Sequence, residues 1–352
     1  MLIKADDLVS AARRALAHVA PPEPAERQVD LLLEADLRGV ASHGMLRLPR
    51  ILRRIATGAT DPTARGQHVW RGEAFLAVDG ERGLGPVVAL AAIEALEDRV
   101  ARTGVAVAAI RNSNHIGMLG YYAERAALAG RSMIALSTSE ALVHPWGGRR
   151  AMIGTNPIAI GVPDGGGGAF MMDTATGVVS MGEIHDHANR GSPIPEGWAL
   201  DADGRATTDA AAAKTGAIAP MAGPKGYALG LGLELLVSAL AGAALGRDVK
   251  GTLDDTSVCN KGDLFILIDG PAMDLRPYLD ALRAEAPAEG FDRVLIPGER
   301  GRDSRARRLR EGVEVIRRLA FDGDYRAARR ADIAEHFQPR GWREVADTLL
   351  GA

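Results

Sequence analysis

Cysteine is almost absent from this 352-residue chain. With Cys259 as the single thiol, no internal disulfide can form, and a reducing compartment is the expected setting. The first residues lack the apolar run of a secretory leader, so a cytoplasmic protein is expected. Aromatic residues make up only 4% of the chain, and 42 basic residues face 45 acidic ones, which leaves neither stacking platforms nor a basic surplus for nucleic acid. A membrane is not expected as a partner either. The most apolar stretch, Tyr227 to Leu245, is interrupted by Glu234 and crowded with Gly and Ala, whereas a spanning helix needs roughly twenty mostly apolar residues. That stretch reads as a buried helix at a subunit contact. The apolar content suffices for two or three folding units, and small-molecule chemistry is the class left standing.

The pattern that is present is α/β. Apolar residues from Ala5 to Leu37 fall at helical spacing, with Asp6 as the expected cap of a first helix and Pro21-Pro22 parting it from a second. Phe75 to Asp79, Gly104 to Ile110, Ile134 to Ser139, Ile158 to Val162, Phe170 to Thr176, Lys261 to Asp269 and a last run from Val294 read as strands. Helices are expected over Pro86–Val100, Tyr121–Leu128, Asp274–Glu285, Arg302–Arg318 and Trp342–Leu350. Gly83-Leu84-Gly85 imitates a dinucleotide-binding turn but fails it. The third glycine of that count falls on Val88, and the next strand ends in Arg111 instead of an acidic ribose ligand.

Chemistry concentrates where the strand ending at Ile110 runs into Arg111-Asn112-Ser113-Asn114-His115. An imidazole at a strand's carboxyl end can exchange a proton near neutral pH, and Asn114 can hold the ring or a substrate oxygen. The bland reading, in which His115 only bonds its own turn, stays open on these residues alone. Arg47 lies four residues after His43, so the two share a face if the segment is helical, and a guanidinium beside a histidine suits a carboxylate. Arg50, Arg53 and Arg54 read as a solvated face. Lys225 sits in the first turn of a helix, where a cation is misplaced unless an anion binds there. His185 and His187 have no third ligand at a recognisable spacing, so no metal is expected.

Several stretches together resemble one family. They are Ser42-His43-Gly44 with Arg47, Arg111 to His115 through Gly120-Tyr121-Tyr122, Pro145 to Gly148, and Gly154 to Ala159. Asp173 to Thr176, Pro193 to Trp198, Gly223 to Tyr227 and Pro297 to Arg300 complete the set, in order over about residues 1–310. The family is that of malate/L-lactate dehydrogenase, with ureidoglycolate dehydrogenase, sulfolactate dehydrogenase and Δ1-piperideine-2-carboxylate reductase. The resemblance implies a mixed α/β, non-Rossmann NAD(P)-binding fold with a mixed central sheet and a helical layer formed by both termini. By that analogy residues 1–70 and 302–352 build the layer, 71–120 and 260–301 the catalytic part, and 121–259 the cofactor-binding part. It implies a homodimer with its active site at the subunit interface. It also implies His115 as proton donor and acceptor beside Asn114, and His43 with Arg47 on the substrate carboxylate. Ser139, Asp173, Thr174, Ala175, Lys225, Glu299 and Arg300 would line NADH or NADPH. Glu183 stands where family members commonly carry a basic residue, which leaves the choice of cofactor open. The expected reaction interconverts a small 2-oxo acid and a 2-hydroxy acid of malate, lactate or sulfolactate type. The rivals are reduction of a cyclic imine acid, ureidoglycolate oxidation, a non-catalytic binding module, and a zinc hydrolase using His185 and His187.

Overall fold

The computed structural model describes residues 2–271 and 273–313. Two helices open it, α1 (Ala5–Leu16) and α2 (Pro22–Leu37). Proline starts α2 because its missing N–H is one of the donors a first turn leaves without a partner. Lys4, not Asp6, occupies the cap position of α1. Asp6 and Asp7 fall inside the first turn, where their charge complements the positive end of the helix dipole. Two 3₁₀ turns, Ala41–His43 and Met45–Arg47, lead into α3 (Leu48–Ala56). The main body follows as β1 (Gln67–Arg71), β2 (Phe75–Asp79), α4 (Gly85–Thr103), β3 (Val105–Arg111), α5 (Gly120–Leu128), β4 (Ser132–Ser137), β5 (Ile158–Pro163) and β6 (Ala169–Thr174). A smaller unit holds α6 (Met181–Arg190), β7 (Ala199–Leu200), β8 (Ala206–Thr207), α7 (Ala210–Ala213) and β9 (Ala217–Ile218). The long α8 (Pro224–Ala241), β10 (Gly262–Ile268), α9 (Arg276–Arg283) and α10 (Glu299–Glu311) complete the described chain.

Seven strands form one sheet in the order β1-β2-β3-β10-β4-β5-β6, and β2–β3 is its single parallel pair, made possible by the α4 crossover. A doubly wound nucleotide-binding sheet is mostly parallel, so this mixed, mostly antiparallel sheet is of another kind. Strand β10 returns from late in the chain to lie between β3 and β4, setting Gly262 opposite Arg111. One face of the sheet is covered by α2, α4 and α5, whose Leu31, Val88 and Tyr122 join Ile110 and Phe265 in the largest core. The other face packs against α8 through Val237 and Leu233. The helical layer draws on both ends of the described chain. Ile3 and Val313 exchange main-chain hydrogen bonds of 3.0 and 2.8 Å, Ser304 Oγ donates to the Leu37 carbonyl at 3.0 Å, and Arg305 of α10 pairs with Glu34 of α2.

Some expectations about these elements need correction. Val294–Arg300 is not a strand, because the Ile296 N–H is taken by the Glu299 carboxylate at 2.9 Å instead of a ladder partner, and α10 begins at Glu299. The run from Tyr227 is only half covered. Its buried stripe is Gly226, Gly230, Glu234, Val237 and Ser238, while Leu229, Leu235, Leu236 and Leu240 face outward. Glu234 turns inward because the Gly154 N–H, the Asn156 amide and the Gly246 N–H converge on its carboxylate at 3.0, 2.6 and 2.7 Å. The small sheet of β7, β8 and β9 has two-residue strands, too short to leave a period in the sequence. The helix expected over Arg302–Arg318 starts earlier, at Glu299, and stops at Glu311, where Gly312 takes a φ of 109° and Val313 turns to pair with Ile3; residues 314–318 and the expected helix over Trp342–Leu350 lie outside the described residues.

Candidate active site

β3 ends at Arg111, and Asn112 turns the chain with a positive φ of 53°, its amide donating to the Asp79 carboxylate at 3.0 and 3.2 Å. Asn114 comes next and is fully occupied. Its Nδ2 donates to the Arg82 and Gly83 carbonyls at 2.7 and 2.9 Å, and its Oδ1 accepts from Arg54 Nε at 3.0 Å. It therefore fastens the loop instead of offering a group to a ligand. Gly85 explains the misleading glycine turn, since a Cβ there would overlap the His115 carbonyl. These glycines let the start of α4 approach the loop, a steric use of glycine unrelated to phosphate. His115 then accepts the Gly117 N–H on Nδ1 at 3.1 Å. In the neutral ring the proton is on Nε2, the nitrogen left for a ligand.

The His43–Arg47 segment is not one helix but two 3₁₀ turns broken at extended Gly44. Tertiary packing nevertheless unites the expected residues. The His43 and His115 rings lie 5.1 Å apart, tilted by 35°, in a pocket also lined by Arg47, Arg50, Arg54 and Thr252. Arg47 donates from Nε to the Ser42 carbonyl at 2.8 Å and from Nη1 to the Thr252 carbonyl at 3.2 Å, and it pairs with no carboxylate among the described residues. Burial, and then the Arg47 charge, pushes the His43 pKa down to about 3. Burial also holds His115 well below its ordinary value, with the charges of Arg47, His43, Lys261 and Arg50 acting the same way. Burial and Arg50 lower Arg47 to about 10 against the opposing pull of Glu140, which leaves it charged at neutral pH. The pocket thus presents two neutral imidazoles beside a fixed cation that has no paired anion among the described residues.

Arg50, Arg53 and Arg54 are not a solvated face. Arg54 is only 5% exposed and donates to the Asp254 and Ser257 carbonyls at 2.9 and 3.0 Å as well as to Asn114. Arg50 and Arg53 share Asp255 at 3.2 and 2.5 Å. Together they bind the segment from Gly251 to Ser257 against the pocket. The signal was available: 47, 50 and 54 are spaced i, i+3, i+7, the stripe of one helical face. Lys261 and Asp263, which sequence reasoning takes only as the start of a strand, are 2% and 0% exposed. Lys261 Nζ is 2.5 Å from both Asp263 oxygens, and Ser137 Oγ donates to the same carboxylate at 2.6 Å. Two charges opening an otherwise apolar strand were its mark.

The expected cofactor residues gather around β6. Asp173 and Thr174 are exposed at its end, and Asp173 Oδ2 accepts the Gly120 N–H at 2.6 Å, tying β6 to the start of α5. On one flank Gly298 packs against the Met171 carbonyl, bringing Glu299 and Arg300 to β6. On the other, Ser139 Oγ accepts the Thr155 N–H at 2.9 Å, Thr176 N donates to the Thr155 carbonyl, and Met221 N to the Thr176 carbonyl, which leads to the start of α8 and Lys225. Ala175 lies between these contacts, half-buried. Lys225 and Arg300 are exposed and have no ion-pair partner among the described residues. His185 and His187 lie inside α6, whose cap Ser180 accepts the Glu183 N–H at 3.1 Å. The His187 ring meets the Pro193 carbonyl and the edge of Trp198. Among the described residues no group of three or more His, Cys, Asp or Glu is placed to hold a metal ion, and no helix is long and apolar enough to cross a membrane.

A mixed sheet of this order, with a cationic pocket at the end of β3 and an open polar edge at β6, belongs to the non-Rossmann class of α/β dehydrogenases. Comparison with known proteins gives the family. The malate/L-lactate dehydrogenase profile matches residues 3–320, and the chain belongs to that family of nicotinamide-dependent 2-hydroxy acid dehydrogenases. It is 38% identical over 307 residues to L-sulfolactate dehydrogenase of Methanocaldococcus jannaschii, covering 85% of this chain and 88% of the relative. The solved structure of a dehydrogenase from Sinorhizobium meliloti superposes with a TM-score of 0.86 at 52% identity, over 89% of this chain and 94% of that one. The Δ1-piperideine-2-carboxylate reductase of Pseudomonas syringae pvar. tomato superposes with a TM-score of 0.79 at 30% identity, over 89% and 96%.

Proposed function

We propose that this protein interconverts a small 2-oxo acid and the corresponding 2-hydroxy acid, with malate or sulfolactate type substrates foremost, and that His115 is its acid and base. The observation that carries the reading is the pocket in which His43, His115 and Arg47 meet and Arg47 lacks a carboxylate. A substrate carboxylate supplies that missing anion, held by the Arg47 fork with His43 beside it. The substrate oxygen then meets His115 Nε2. A bound carboxylate offsets the Arg47 charge and so raises the proton affinity of His115 in the complex. Both the imidazolium that protonates the oxygen and the neutral tautomer whose bare Nε2 takes the hydroxyl proton in the reverse direction carry a hydrogen on Nδ1, so acid–base turnover at Nε2 gives up the Gly117 contact.

The residues at the end of β6 fit a nicotinamide cofactor. Lys225, in the first turn of α8, and Arg300, both without an ion-pair partner among the described residues, offer cations for its phosphates, and Ser139, Asp173, Thr174, Ala175 and Glu299 complete the polar edge. When bound, NADH or NADPH supplies or accepts the hydride, and the protein supplies orientation and the proton. The outward leucines of α8 support a homodimer, with the active site completed at the subunit interface, because a contiguous exposed apolar face of this kind marks a contact surface. The single, buried, unpaired Cys259 supports a cytoplasmic setting.

The test is cofactor oxidation followed by absorbance with oxaloacetate, sulfopyruvate, pyruvate and Δ1-piperideine-2-carboxylate in parallel. Turnover of an oxo acid is expected. Turnover of the imine alone would replace this reading with imine-acid reduction.

A further inference from the structure

A buried carboxylate that none of these roles uses lies behind the substrate segment. Asp36, near the end of α2, is 3% exposed, and its Oδ2 accepts the Met45 N–H at 2.7 Å. Met45 opens the second 3₁₀ turn, so its N–H is one of the donors a helix start leaves to be satisfied from outside. The same carboxylate lies against Gly44 so closely that a Cβ on Gly44 would overlap its oxygens. Gly44 is the hinge between the two turns. His43 precedes it, and Arg47 N donates to its carbonyl at 2.9 Å. Asp36 has no ion-pair partner among the described residues, and Arg308 of α10 donates to its main-chain carbonyl, not to its carboxylate. Burying an unpaired carboxylate is unfavourable, and an apolar side chain would serve the packing of α2 better. Stability alone therefore gives no reason for an aspartate here.

We propose that Asp36 is a positioning residue for substrate binding: through the Met45 N–H and the close approach of Gly44 it sets the spacing of His43 and Arg47 on the substrate carboxylate. The inference rests on the role given above to His43 and Arg47. A misplacement of these two groups acts on the carboxylate they hold and leaves the β6 edge untouched.

The experiment compares Asp36→Ala, Asp36→Asn, Gly44→Ala and the Asp36→Ala/Gly44→Ala double variant on the full chain, with the oxo acid that the unaltered protein turns over. Asp36→Ala and Gly44→Ala are expected to raise KM for the oxo acid about tenfold, the effect of losing one charge-assisted hydrogen bond, with KM for the cofactor unchanged. Asp36→Asn keeps an acceptor for the Met45 N–H and is expected to restore most of the binding. In the double variant the added methyl no longer meets a carboxylate, so the two losses should not add. Should Asp36→Ala fail to fold, Gly44→Ala and Asp36→Asn carry the same comparison. Equal losses for oxo acid and cofactor, an asparagine variant no better than alanine, or additive effects would overturn the inference while an active unaltered protein upheld the reading of the site. A protein inactive on every acid would overturn both.

Discussion

An imidazole that stays neutral beside a guanidinium that stays charged is the residue-scale arrangement on which the proposed chemistry turns. His43, with its pKa near 3, and His115, also lowered, take up protons less readily folded than unfolded, where histidine titrates near 6.5. Their contribution to stability is therefore present above about pH 6.5 and lost as the pH falls toward 3. Asp36 has the opposite sign. Its pKa is raised from 3.8 to about 6 by burial, against the Met45 N–H and Arg308, so its contribution is full below about pH 3.8 and lost as the pH rises through 6. Denaturant titrations at stepped pH should show His43→Gln with a shallower acid decline than the unaltered protein. Asp36→Asn should gain stability relative to it as the pH rises from 4 to 7. Equal slopes for all three would contradict the assigned directions. At His115, replacement by alanine should lower kcat by roughly 10²- to 10⁴-fold, as expected for a positioned acid and base, with cofactor affinity by fluorescence titration retained. Asn114 shows what residue type alone conceals: the polar group beside the histidine is spent on Arg54, Arg82 and Gly83.

At the scale of elements, α3 and α8 share a lesson about faces. Helical spacing in the sequence is enough to predict each helix, but which side turns inward depends on what lies opposite. For α3 it is the segment from Gly251 to Ser257, whose carbonyls draw Arg54 inward; for α8 it is the three donors that converge on Glu234. Glu234→Ala would leave two main-chain N–H groups and one amide hydrogen without partners in the interior. A loss of at least about 3 kcal/mol is expected in urea denaturation, since each of the three orphaned donors costs roughly 1–3 kcal/mol. On the outward side, Leu235→Glu with Leu236→Glu should convert a dimer to a monomer in light scattering while leaving the monomer folded. A dimer that survived both charges would put the contact elsewhere.

At the scale of the whole molecule, β10 is the piece that joins the candidate active site. It carries Lys261 and Asp263 from late in the chain to the carboxyl end of β3, and the loop before it closes the pocket over Arg47 and Arg54. The proposed cofactor residues are dispersed likewise, from Ser139 to Arg300, and converge only when β6, α8 and α10 are packed. Cofactor binding should therefore stabilise the entire fold. A ligand at a hundred times its Kd adds about 2.7 kcal/mol, and thermal melts with NADH and NADPH at matched concentrations should show the preferred one by its larger shift. Equal shifts would mean that the protein does not discriminate between them.

Taken alone, the sequence determined the family, most helices and most strands, and singled out His43, Arg47 and His115, which the fold brings into one pocket, because motifs and periodicities are local and survive in one dimension. It also excluded a dinucleotide-binding glycine turn, by a count that the close approach of Gly85 to His115 explains. Only the tertiary structure decided that the arginines of α3 are tied to the segment from Gly251 to Ser257, that four leucines of α8 face out, that Asn114 is occupied and that Asp36 stands behind Gly44. Each of these is a contact between residues far apart in the chain, and the free energy of a polar or apolar group is set by the neighbour it meets, which spacing along one segment does not specify.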